Sequence, residues 1–107
     1  MGVYTSINDG TAHFQTALYN GNGGANTITN DGNANLQPDW LWFKERSSTS
    51  SHHVFDTSRG VGGSGQALYP DVNSGQSADT ALTSVNTDGF TLASTGGFNE
   101  NGQTNVC

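Results

Sequence analysis

Apolar and polar positions alternate over short stretches and never with a helical period. Residues 13–19 have strand character and run into Asn20-Gly21. Residues 25–29 read as the return strand, with Thr27 and Thr29 on one face and Ile28 on the other. The most apolar run is 40–46, where Trp40 and Trp42 share one face and Leu41 and Phe43 the other. Apolar residues on both faces predict a central strand between two packed layers, or a strand at a subunit contact. Residues 53–57 and 67–69 follow as short strands, the second stopped by Pro70. Residues 84–86 and 90–93 form a hairpin about Thr87-Asp88-Gly89, with Phe90 and Leu92 alternating with Thr91. Residues 104–107 begin a last strand that the sequence does not complete.

The punctuation is dense. Asp9-Gly10, Asn20-Gly21, Asn22-Gly23, Asp31-Gly32, Asp88-Gly89 and Asn101-Gly102 all suit tight turns with positive φ. Residues 60–65 hold four glycines and read as a flexible loop; 71–80 is polar and reads as another. No stretch has helix caps around a helical period, and no internal repeat is visible. Turns every ~8–12 residues favour an all-β, antiparallel β-sandwich of jelly-roll or concanavalin-like type, a single domain over 1–107.

Composition sharpens this. Gly, Asn, Ser and Thr fill 51 of the 107 positions, and only 11% of residues are charged. A charged disordered tail and a coiled coil are both excluded, since Lys, Glu, Pro and the strong helix formers are scarce. A chain this short buries only about 60–65% of its unfolded surface, and with one cysteine it has no intrachain disulfide to help. Oligomerisation or docking on a larger particle offsets so thin a core. The net charge of −6, with Lys44, Arg46 and Arg59 as the only cations, argues against nucleic acid and anionic membrane as partners. Residues 1–5 show no basic or apolar leader pattern, and the chain lacks Asn-x-Ser/Thr acceptors, which leans towards a protein made in a bacterial cytoplasm.

Candidate chemistry is sparse. Asp31, Asn33 and Asn35 have the opening spacing of a calcium loop, but Leu36 and Trp42 stand where it needs Gly and Glu, so turn chemistry is the better account. His52 and His53 are adjacent on a strand and point apart; His13 is isolated. Gly62-Gly63-Ser64-Gly65-Gln66 misses the nucleophile elbow at its last position. Asp39, Glu45, Asp56 and Asp71 could supply an acid pair for glycoside hydrolysis only by coincidence of folding. No catalytic residue, cofactor or metal is expected, and the chain reads as no enzyme. Asp56 and Arg59 form a structural ion pair that pins the loop after a strand. Trp40, Trp42, Phe43 and Phe90 are expected in the core, because thin cores need large side chains. The alternative sets Trp40, Trp42 and Tyr69, with Tyr19, as a platform for glycan rings or a partner.

The segments Gln37-Pro38-Asp39-Trp40-Leu41-Trp42-Phe43-Lys44-Glu45-Arg46-Ser47, His53-Val54-Phe55-Asp56-Thr57-Ser58-Arg59-Gly60 and Thr83-Ser84-Val85-Asn86-Thr87-Asp88-Gly89-Phe90-Thr91-Leu92, with residues 14–16 and 30–32 before them, carry a resemblance over residues 10–107. Together they are similar to a domain that recurs in structural, tail and fibre-like proteins of marine and cyanobacterial bacteriophages. The resemblance implies a virion component with a lectin-like β-sandwich and no catalytic residues. It implies a head decoration, fibre or tail component on the particle surface, assembled in the host cytoplasm. Its partners would be other virion proteins or further copies of itself. A carbohydrate-binding module for host-surface glycans is the rival expectation. In that family the last strand continues into a Trp-rich segment, whereas here the sequence stops at Asn105-Val106-Cys107. The expectation is therefore a chain truncated at its C-terminus or a sandwich completed by a partner strand.

Overall fold

The computed structural model describes residues 9–93 and 97–107. The reading of a missing leader concerns residues 1–5 and lies outside them. Among the described residues nine strands occur in the order β1 (Leu18–Asn20), β2 (Asn26–Thr29), β3 (Trp40–Glu45), β4 (His53–Asp56), β5 (Gln66–Ala67), β6 (Ser77–Ala78), β7 (Leu82–Asn86), β8 (Gly89–Leu92) and β9 (Thr104–Val106). Short 3-10 turns at Gly10–Ala12 and Gly62–Ser64 are the only helical elements among the described residues. Every pairing is antiparallel. One sheet has the order β1-β9-β3-β4, a second β2-β8-β7, and β5-β6 form a small hairpin. The fold is all-β and sandwich-like, as the turn spacing predicts.

The two larger sheets face each other through aromatic side chains. Phe43 of β3 meets Phe90 of β8 edge-on with ring centroids 5.2 Å apart, and Tyr19 of β1 meets the same ring at 5.9 Å. Phe98 stacks flat on Phe43 at 4.4 Å and touches Phe55 at 5.8 Å. Leu41, Leu82, Leu92, Ile28, Ala67 and Ala81 complete the core. Each buried phenylalanine, leucine or isoleucine side chain contributes about 1.5–3 kcal/mol by leaving water.

The β7–β8 hairpin forms where Asp88-Gly89 predicts it, with Asn86 opposite Gly89. Gly89 has φ +142°, and a Cβ there would overlap the Ile28 carbonyl oxygen, so only glycine lets β2 close onto β8. Of the six turn pairs, Gly23, Gly89 and Gly102 take positive φ.

Two expectations are corrected. Residues 13–19 and 25–29 form no hairpin: β1 pairs with β9 and β2 with β8, in different sheets. Gly21 is instead bonded to Gln103 and Gly102, so the chain crosses between layers at that point. Nor is β3 apolar on two buried faces. Leu41, Phe43 and Glu45 point inward, while Trp40 and Trp42 face solvent rather than joining the core. The second layer covers only one face of β3, and phenylalanines already fill the space between the layers.

Candidate functional site

The outer face of the four-stranded sheet carries the most unusual surface. Exposure alternates residue by residue from Phe14 to Asn20, so the strand geometry of β1 reaches back past Leu18 and sets Phe14, Thr16 and Leu18 outward. On β3 the outward set is Trp40, Trp42 and Lys44. Phe14 is 71% exposed, Leu18 66%, Trp40 54% and Trp42 44%. The outer face thus holds four exposed large apolar side chains.

Between β1 and β3 runs a groove of about 690 Å³ whose walls include Phe14, Leu36, Trp40, Leu41, Trp42 and Cys107. Its polar edge is specific. The Trp42 indole N–H donates to His52 Nδ1 at 2.9 Å, and the His52 amide donates to Asp71 at 3.0 Å. Accepting at Nδ1 requires that nitrogen to be unprotonated. The Trp40 and Trp42 rings meet at 86°, so they form a corner rather than one flat platform. Lys44 turns its ammonium to the carbonyls of Glu45, Ser48 and Ser50 and ties down the serine loop beneath the face.

The remaining sequence candidates fall elsewhere. Tyr69 does not join the tryptophans; it packs edge-on against His53 at 4.9 Å and points its hydroxyl at Asp79. Tyr19 also turns inward and donates to the Phe98 carbonyl at 2.7 Å. His52 and His53 do point apart, one to the outer face and one to the interior. Burial lowers the His53 pKa below its usual value, with Asp79 opposing. Asp56 accepts from both the Arg59 amide and its Nε, a closed structural pin, and the Arg59 amide bond is the main reason its carboxyl pKa falls. Phe90 is in the core. The acids are dispersed: Glu45 is buried on the inner face, Asp39 lines the groove, and Asp71 holds the His52 amide. In the Asp31–Asn35 loop, Gln15 accepts from the Gly32 amide and donates to the Ala34 carbonyl. Burial pushes the Cys107 thiol up to about 12, keeping it protonated.

Residues 9–107 match the model of the domain of unknown function DUF7483. The chain belongs to that family. No curated protein and no solved structure matches it. The matched span of the DUF7483 domain takes in all nine strands and the whole outer face.

Sequence reasoning missed two residues that hold the domain together. Asn99 is buried, donates to the Gly24 and Ala93 carbonyls, and accepts from Asn26 and the Asn22 amide. Phe98, beside it, stacks on Phe43. Their only signal was a lone Phe-Asn in a glycine-rich stretch.

Proposed function

We propose that the chain is a non-enzymatic structural component of a bacteriophage particle, displayed on its surface as a head decoration, fibre or tail part. The outer face of β1 and β3 is then its contact with neighbouring subunits. The observation that carries this reading is the set Phe14, Leu18, Trp40 and Trp42, all on the outer face of one sheet and left in water by the fold. Apolar patches of this kind on small domains mark interaction surfaces. The resemblance in residue order to phage structural and tail proteins supports the virion as the setting. Imaging of purified particles tests it: many symmetric copies per particle are expected. Recovery only in the soluble lysate rejects it.

A second reading, recognition of host-surface glycans, is favoured by the Trp42–His52–Asp71 chain, which sets hydrogen-bonding groups beside an exposed ring. The 86° corner leaves one ring at a time for a sugar to stack on, which makes it the weaker of the two. A glycan array with Trp42→Ala as control decides: absence of binding to any host glycan removes this reading.

A further inference from the structure

The Trp42 indole and the His52 imidazole hold each other on the outer face, and the register explains why they meet. β3 and β4 pair Phe43 with His53, so one position further His52 stands opposite Lys44 and diagonal to Trp42. Diagonal neighbours on one face of a sheet are about 7–8 Å apart, within reach of two aromatic side chains. The rings meet edge-on at 70°, with centroids 5.7 Å apart.

Their bond allows one protonation state. An indole N–H can only donate, so the 2.9 Å contact needs a lone pair on Nδ1 of His52. The neutral ring therefore carries its single proton on Nε2. Proton uptake places a second N–H at Nδ1, aimed at the N–H of Trp42. Two donors 2.9 Å apart repel, and the contact opens. Histidine is the side chain that ordinarily changes charge between pH 5 and 8.

The surroundings give the imidazolium a second place. Asp71 already accepts from the His52 amide at 3.0 Å, and its carboxylate has lone pairs to spare. Desolvation pushes that carboxyl up, but hydrogen bonds, the His52 amide among them, hold it below its ordinary 3.8, so it is ionised at pH 5. A cavity of about 150 Å³ between Trp42, His52, Pro70 and Asp71 leaves the ring room to turn. Lys44, opposite His52, repels a charged ring, with its ammonium held by the carbonyls of Glu45, Ser48 and Ser50. His53 is next in the chain and points inward. His13, Asp39 and Cys107 stand on the walls of the same groove, and none of them bonds to the His52 ring among the described residues.

We propose that His52 is a pH-operated catch on Trp42. Closed, the neutral imidazole fixes the indole, and with it the 86° corner that Trp42 makes with Trp40. Open, Nδ1 has taken a proton from water, the imidazolium has turned to Asp71, and the indole is free to move. A partner docking on these rings meets a corner already set at neutral pH. In acid the corner has to be ordered at contact, so contacts on this face weaken as pH falls. The inference names a regulation of the outer face and rests on the reading of that face as a contact surface.

Exchange of the two indole protons with water, followed by NMR on the isotope-labelled 107-residue chain, tests the catch. Trp40 is the reference, since it is exposed and its indole has no hydrogen-bond partner among the described residues. At pH 8 the Trp42 proton is expected to exchange about fivefold more slowly than that of Trp40, the worth of one hydrogen bond, and at pH 5 equally fast. In His52→Ala the two protons exchange alike at both pH values. The Phe90 amide, in the middle strand of the second sheet, stays protected throughout, which separates the catch from unfolding. Equal protection of Trp42 at both pH values, a pH response that survives in His52→Ala, or loss of Phe90 protection along with it overturns the proposal. The two readings fail separately. A Trp42 proton indifferent to pH sinks the catch alone, and a working catch in a chain absent from particles sinks the virion setting alone.

Discussion

The two faces of β3 take three residues each from one six-residue strand and do different work. Leu41, Phe43 and Glu45 are closed against the second layer; Trp40, Trp42 and Lys44 look outward. The difference lies in the polar handle. Phenylalanine has no group that needs a partner, and Phe43, Phe55, Phe90 and Phe98 fill the dry interior. Tryptophan carries an N–H, and on the outer face Trp42 can satisfy it with His52. The lesson is that apolar content on both sides of a strand does not mean two buried sides.

The comparison breaks if both faces carry the stability. Phe43→Ala is expected to cost about 3–5 kcal/mol, whereas Trp42→Ala should stay within ~1 kcal/mol. Urea unfolding of the two variants measures both, and equal losses would refute the division of labour. Asn99→Ala removes donors from the Gly24 and Ala93 carbonyls in the interior and should cost about 1–3 kcal/mol by the same measurement.

Acid sharpens the comparison from the inner side. Burial of His53 lowers its pKa in the folded state below the ordinary 6.5. The unfolded chain then binds the proton first, so stability is full above pH 6.5 and declines as pH falls below it, with a slope of at most ~1.4 kcal/mol per pH unit. The fall of stability between pH 7 and 5, followed by unfolding curves, should flatten in His53→Gln relative to the wild type. The smallest effect belongs to the Asp56–Arg59 pin. Asp56→Asn should cost at most ~1 kcal/mol at neutral pH. That loss should persist just below the carboxyl's ordinary 3.8 and vanish only as pH falls through its lowered folded-state value, where the wild-type group takes up its own proton.

Local chemistry made much of this legible. Asp88-Gly89 fixed a hairpin, alternation fixed the phase of β3 and β8, and the spacing of Asp56 and Arg59 was enough to pair them. What stayed hidden was long-range. Nothing local says that the last three-residue strand, β9, slides between β1 and β3, since that order depends on which edges remain free after the rest has folded. Nor can a strand pattern tell which of two apolar faces the second layer will cover, which is why the tryptophans were expected inside. Phe98 and Asn99 lie outside any periodic segment, and their burial follows from tertiary packing alone.

Both tryptophans of the chain stand on the outer face, partly in water, with an imidazole against one of them. Its intrinsic emission is therefore a reporter of what touches that face and a poor reporter of folding. A partner that covers the rings should shift the spectrum to the blue. Loss of the phenylalanine core should leave the emission maximum nearly where it began.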